Sequence, residues 1–296
     1  MQLLTALFII IRPLNVAIAG LSILVAAVLV QPFHFTPPII WAIISGMLIT
    51  AGANVINDLY DIEIDRINRP QRILPAGRLT PAAAKTFAIF LFACGIFFSI
   101  FINKTAMLIA VATSLLLLVY SWKLKRLPLS GNLAVSLATA LAFIYAALAA
   151  ESGLSQMAID RIDATRTWVG DWRAGIFPAV FAFLLHFGRE VIKDIEDQSG
   201  DRAAQARTLP LAYGLNAAQI AATIALVLLL IVTLIPAGLA LYNQTYLWII
   251  LFGVDPVVIF AVYGLWKNPT PPRLRQISAA LKADMLVGLA AIYFGK

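Results

Sequence analysis

The chain has 296 residues, of which 61% are hydrophobic and 12% charged, against roughly half and a quarter in soluble domains. One cysteine, Cys94, and two histidines, His34 and His186, exclude a disulfide framework, a thiolate metal site and a histidine-based metal centre. The formal charge of +7, spread through so apolar a chain, points to cytoplasmic loops and anionic lipid heads, not to nucleic acid.

In chain order, apolar runs long enough to cross a bilayer as helices recur at about 12–31, 38–58, 82–103, 105–122, 132–150, 174–194, 215–237, 240–265 and 277–295. Breaks are marked by Pro37-Pro38, Pro75 with Gly77 and Pro81, Pro128, Pro210 with Gly214, Pro236 with Gly238, and Pro269 to Pro272. The reading is an all-α integral membrane protein, nine transmembrane helices in a bundle, forming a single domain over 1–296. The first run is interrupted by Arg12 and Pro13 and no small-residue cleavage site stands out, so no cleavable signal peptide is expected.

With the N-terminus in the cytoplasm, 17 of the 22 basic residues fall on the cytoplasmic side. This asymmetry favours an odd number of spans and an outside C-terminus.

Nine of the fifteen acidic residues lie in two windows that continue from apolar spans. The first is Asn57-Asp58-Leu-Tyr-Asp61-Ile-Glu63-Ile-Asp65; the second runs from Glu190 through Lys193, Asp194, Glu196 and Asp197 to Asp201. Both fall on the cytoplasmic side of the same topology. On a continuous helix, Asn57, Asp61 and Asp65 drift over roughly 80°, with Asp58 near the same edge. Glu190, Asp194, Asp197 and Asp201 lie within about 60° if the second helix persists, and Gly200 could end it earlier. Glu63 and Glu196 point away from these faces. Stacked like charges need a cation between them. Mg²⁺, which takes one or two carboxylates together with phosphate oxygens, suits them. Arg66, Arg69, Arg72, Arg78, Lys123, Lys125, Arg202 and Arg207 follow the acids, and their N–H groups suit a diphosphate. Taken singly, each is a positive-inside anchor. His186, one turn before Glu190, reads as a packed polar residue. Asp255, before Pro256 inside the eighth span, is an intramembrane acid that would belong to a site or pair with Lys282 or another buried donor.

Asn57-Asp58-x-x-Asp61-x-x-x-Asp65, followed by Asn68-Arg69-Pro70-x-Arg72-x-Leu74-Pro75-x-Gly77, resembles the first signature of the UbiA superfamily of intramembrane prenyltransferases. Asp194, Asp197 and Gly200-Asp201, then Thr208-Leu209-Pro210, resemble the second. Tyr120-Ser121-x-x-Leu124-Lys125 and Arg12-Pro13-x-Asn15 resemble two further motifs. The resemblance implies nine helices and transfer of a prenyl chain from a prenyl diphosphate to a lipophilic acceptor. It implies one Mg²⁺ on Asn57, Asp61 and Asp65 and a second on Asp194, Asp197 and Asp201, the two bridging the diphosphate, with Asp58 and Glu190 in support. These five aspartates, Asp61, Asp65, Asp194, Asp197 and Asp201, would carry catalysis. Arg72 and Lys125 would grip the diphosphate, Asn15 would line the pocket, and Arg69 and Tyr120 would also contact substrate.

Gly188 to Asp197 most resembles the branch that geranylgeranylates the glycerol hydroxyl of geranylgeranylglyceryl phosphate in ether-lipid synthesis, with Arg189 and Lys193 available for the acceptor's phosphate. Gln205-Ala206-Arg207 departs from the Gly-x-Lys type segment expected before Thr208. Two alternatives stand beside this reading: an aromatic or chlorophyll-type acceptor, and a divalent-cation or lipid-phosphate transporter. The expected location is the cell membrane of a prokaryote, with the site facing the cytoplasm.

Overall fold

The computed structural model describes residues 2–154, 170–203 and 205–296. The described residues form helices joined by turns, without a strand. In chain order the helices are α1 (Gln2–Ile10), α2 (Pro13–Val28), α3 (Pro37–Tyr60), α4 (Ile62–Asn68), α5 (Pro81–Ser99), α6 (Lys104–Trp122), α7 (Ser130–Ser152), α8 (Ile176–Glu196), α9 (Gln198–Ala203), α10 (Leu209–Tyr213), α11 (Leu215–Val232), α12 (Ile235–Gly238), α13 (Gln244–Ile249), α14 (Asp255–Lys267) and α15 (Pro271–Gly295).

The starts of these helices are written in the chain. Proline opens α2, α3, α5 and α15, where its missing N–H costs nothing and its fixed φ suits a first turn. Thr80, Asn103 and Asn243 cap α5, α6 and α13 by accepting from Ala83, Ala106 and Tyr246 backbone N–H groups at 3.2, 2.7 and 3.2 Å.

Eight described segments are long and apolar enough to cross a membrane, or nine if the bent pair Leu3–Ile10 and Pro13–Val28 is one span. Large apolar side chains such as Phe90, Phe97, Leu108, Leu115 and Phe252 are exposed on the helix surfaces, as lipid contact requires. Small residues take the inner positions: Ala84, Ala88, Ala106 and Ala110 are buried, which lets backbones approach closely.

The chain divides into two compact units. The first comprises 1–124 and 141–173; α3 packs there on α2, α5 and α6. Inside it, Tyr145 donates to Ser45 Oγ at 2.8 Å, and Ser45 donates to the Gly95 carbonyl at 2.7 Å. The second comprises 125–140 and 174–296, with α8 packed on α11 and α15, and α15 on α13 and α14. Gly188 makes the first of these contacts possible: a Cβ there would stand 2.9 Å from Leu226.

The structure departs from the expected spans at both ends. The first does not begin at Arg12: apolar α1 precedes it, and the chain bends by 50° there, because Arg12 is left-handed at φ 56° and Pro13 restarts the helix. The last helix begins at Pro271, six residues earlier than expected, so Arg273 and Arg275 sit on its first turns and not in a loop.

Candidate active site

In the first unit, the acid-bearing helix is bent within its motif. α3 ends at Tyr60 and α4 starts at Ile62, with Asp61 between them at φ −97°, ψ 3°. Asn57, Asp61 and Asp65 therefore do not lie on the one continuous helix that their spacing predicts. The bend is shallow in bonding terms: Asp61 N–H donates to the Asn57 carbonyl at 3.0 Å, and Asp65 N–H to the Asp61 carbonyl at 2.7 Å.

The side chains form two small networks. Asn57 Nδ2 donates to Asp61 Oδ2 at 3.0 Å. Arg72 Nη1 donates to Asp65 Oδ2 at 2.6 Å and to Asp58 Oδ1 at 3.2 Å, while Arg12 donates to the same Asp58 oxygen. Asp58 and Asp65 are buried. Burial pushes the Asp65 carboxyl above its ordinary range; Arg72 opposes the rise, and Asp61 and Asp58 add to it.

Local structure explains how Arg72 arrives there. The segment after α4 tucks Ile73, Leu74 and Leu79 into the interior. It closes by bonds from Gly77 N–H to the Leu74 carbonyl and from Arg78 N–H to the Ile73 carbonyl, both 3.0 Å. Gly77 sits at φ 68°, where a Cβ would be strained. Asn54 Nδ2 holds the Ile11 carbonyl at 2.8 Å and so pins the α1–α2 bend beside Arg12. Of the other expected residues in this unit, Asn15 lies half-buried on the first turn of α2, Arg69 caps α4 by donating its N–H to the Asp65 carbonyl at 2.8 Å, and Tyr120 is half-buried near the end of α6.

In the second unit, α8 ends at Glu196, and Asp197 stands at φ −92°, ψ 9° before α9. The break therefore comes before Gly200, not at it. Asp197 and Asp61 share nearly one backbone conformation, in a sparsely populated region that active-site residues often occupy. The bonds again run through: Asp197 N–H donates to the Lys193 carbonyl at 2.8 Å, and Asp201 N–H to the Asp197 carbonyl at 3.0 Å.

Glu190 is buried between two cations, with a histidine nearby. Lys193 Nζ lies 2.8 and 3.1 Å from its two oxygens, Arg189 Nη1 at 2.9 Å, and His186 Nε2 at 3.8 Å. Arg189 Nε also donates to the Ser278 carbonyl on α15 at 3.1 Å. Asp194 accepts from Asn132 Nδ2 at 2.8 Å. Lys125 lies in a single tight turn, Leu124–Arg126, and the Arg126 carbonyl accepts from Arg207 N–H at 2.8 Å. That bond ties the Gln205-Ala206-Arg207 segment to the turn holding Lys125.

Two expectations about orientation divide. Glu63 is exposed and, among the described residues, bonds only the neighbouring Arg66, at 2.9 Å. Glu196 also leaves the carboxylate face, but it is buried, and Arg275 Nε donates to it at 2.9 Å across to α15. Asp255 does not pair with Lys282: no ion pair among the described residues involves it, and its Oδ1 is buried without a hydrogen-bond partner. Beyond the signal that Asn132 and Asp284 carry as polar groups within apolar runs, the linear chain gives no reason to single out Asn132, Arg275 or Asp284, to pair Glu196 with Arg275, or to give Arg12 an ionic partner.

The donor set of each unit consists of hard oxygens, which suits Mg²⁺. Among the described residues no three His, Cys, Asp or Glu side chains form a ready cage. Mg²⁺ rarely uses one, since it usually takes one or two carboxylates with phosphate oxygens and waters. An open set of this kind fits a metal that arrives with its diphosphate.

A helical membrane chain whose α3–α4 and α8–α9 junctions each carry aspartates beside guanidinium and ammonium groups belongs to the UbiA prenyltransferase family, which matches residues 19–281. The protein is a prenyltransferase and an integral membrane protein. Its similarity extends further. It is 33% identical over 283 residues to the digeranylgeranylglyceryl phosphate synthase of Methanopyrus kandleri, covering 95% of each chain. A solved structure of a digeranylgeranylglyceryl phosphate synthase superposes with a TM-score of 0.76 at 29% identity, over 100% of this chain and 99% of that one. An Archaeoglobus fulgidus UbiA homologue, solved with GPP and Mg²⁺, shares the fold at 17% identity and a TM-score of 0.63, over 97% and 99%.

Proposed function

We propose that the protein transfers a geranylgeranyl group from geranylgeranyl diphosphate to the glycerol hydroxyl of geranylgeranylglyceryl phosphate, forming an ether bond. The observation that carries this is the full-length similarity to a digeranylgeranylglyceryl phosphate synthase. In the reaction, the bond between C1 of the prenyl chain and the diphosphate oxygen breaks and the electron pair leaves with diphosphate. The acceptor oxygen bonds C1, and its proton is released.

Asn57, Asp61 and Asp65 would hold one Mg²⁺, and Asp194, Asp197 and Asp201 a second. Bound there, the metal supplies neutralisation of charge growing on the leaving diphosphate. Arg72 and Lys125 bind diphosphate oxygens, Arg69 and Tyr120 contact substrate, and Asn15 lines the pocket. Arg12 and Arg72 hold Asp58 and Asp65 in place before substrate arrives. Glu190 orients Arg189 and Lys193 without exhausting them. Lys193 has three N–H donors for two carboxylate oxygens, and Arg189 retains N–H groups beyond those on Glu190 and Ser278. Those remaining donors suit the acceptor's phosphate, a group that an aromatic acceptor would not need. In this reading the whole chain is one catalytic domain of nine spans, with the N-terminus and site on the cytoplasmic face and the C-terminus outside.

Purified protein given labelled geranylgeranyl diphosphate, Mg²⁺ and geranylgeranylglyceryl phosphate should form a labelled ether lipid, and none after EDTA treatment. Product with 4-hydroxybenzoate but not with the glyceryl phosphate would overturn the acceptor assignment.

A further inference from the structure

Two acids lie far from the helix exits. Asp255 falls roughly midway along the 24-residue segment Gln244–Lys267, and Asp284 roughly midway along Pro271–Gly295. Asp284 is 2% exposed and neither of its carboxyl oxygens has a hydrogen-bond partner; Asp255 is 9% exposed and its Oδ1 has none. The two interact electrostatically, and α14 packs on α15.

Among the described residues, no ion pair supplies a counter-charge to either acid. Tyr246, which interacts electrostatically with Asp255, spends its hydroxyl on the Thr233 carbonyl at 2.7 Å. On α14 and α15, Lys267 lies over Tyr263, Arg273 over Phe260, and Arg275 bonds Glu196. Arg189 and His186, on the facing α8, are turned to Glu190. Lys282 lies two residues before Asp284, about 200° round the helix.

The backbone is also unusual there. One π-helical turn, Ile250–Val254, leads into Asp255, and such turns cluster at functional sites. Pro256 follows on the first turn of α14.

Two carboxylates ionised together at this depth, with no cation against them, would be strongly disfavoured. A metal ion would need several more oxygens than the pair provides, and no group of three His, Cys, Asp or Glu suited to a metal exists among the described residues. We propose that Asp255 and Asp284 form a proton-binding site within the membrane span, a carboxyl pair that retains at least one proton at neutral pH. It is separate from the acidic clusters at Asp61 and Asp194. A neutral carboxylic acid has an O–H donor, which an ionised carboxylate lacks.

The test uses the full chain in lipid nanodiscs. Infrared difference spectra, wild type minus the Asp255→Asn/Asp284→Asn variant at neutral pH, should show a protonated carboxylic C=O band that shifts in D₂O. If the double variant does not fold, Asp284→Asn alone replaces it, with a change in the same band expected. Replacing sodium and potassium chloride by choline chloride should leave the wild-type melting temperature unchanged. Absence of the band would overturn the proposal. So would a melting temperature that rises with one alkali cation, which would make the pair a cation site.

Discussion

Replacing Arg72 by methionine tests the electrostatic core of the first cluster. Arg72 donates to Asp65 at 2.6 Å and to Asp58 at 3.2 Å, and its own side chain is only 21% exposed. Asp58 keeps Arg12 in the variant, whereas Asp65 loses the one cation that, among the described residues, is bonded to it. Breaking a buried pair on one side costs about 3–5 kcal/mol. The partial exposure of Arg72 and the surviving Arg12 contact place the expected loss at the low end, about 3 kcal/mol. Adding Asp65→Asn removes the stranded charge, so Arg72→Met/Asp65→Asn should recover roughly 1.5–3 kcal/mol relative to the sum of the single changes. Unfolding in mixed micelles, followed by near-ultraviolet circular dichroism for all four proteins, measures this coupling. Turnover should fall in both single variants and in the double, since stability returns but the proposed metal ligand and diphosphate grip do not. A neutral Arg72→Met change, or strictly additive losses, would refute the pairing.

Other outcomes follow from the same geometry. Asn132→Leu should destabilise by about 1–3 kcal/mol by leaving Asp194 short of its amide donor, and should raise the Mg²⁺ concentration needed for half-maximal turnover. Asp61→Ala and Asp194→Ala should each cut turnover by at least roughly a hundredfold while the protein keeps its gel-filtration profile and helical circular dichroism; wild-type rates in either would remove that residue from the reaction. Gly188→Ala should cost about 1–3 kcal/mol in the same unfolding assay, because the added methyl meets the fully buried Leu226 at 2.9 Å.

Much of this protein is legible in the linear chain, for reasons of scale. A bilayer demands about twenty apolar residues per helix, and no local packing detail can disguise runs of that length. Proline and the Thr80, Asn103 and Asn243 caps announce helix starts because they act within one turn. The two aspartate clusters are visible because charge is rare in such a chain. What the chain alone did not decide depends on contacts between residues distant in sequence. Helical arithmetic treats 57–65 and 190–201 as straight, but Asp61 and Asp197 each bend their motif while the backbone bonds run through. Spacing turned Glu196 away from the carboxylate face without disclosing that Arg275, 79 residues on, binds it there. Nor did the chain assign Arg12 and Arg72 to Asp58, or Asn132 to Asp194, since each pairing is made by tertiary packing. Asp255 stood out as a buried charge because hydropathy exposes it. That it comes within electrostatic reach of another acid, Asp284, follows from the packing of α14 on α15, which sets the side of each helix that meets the other.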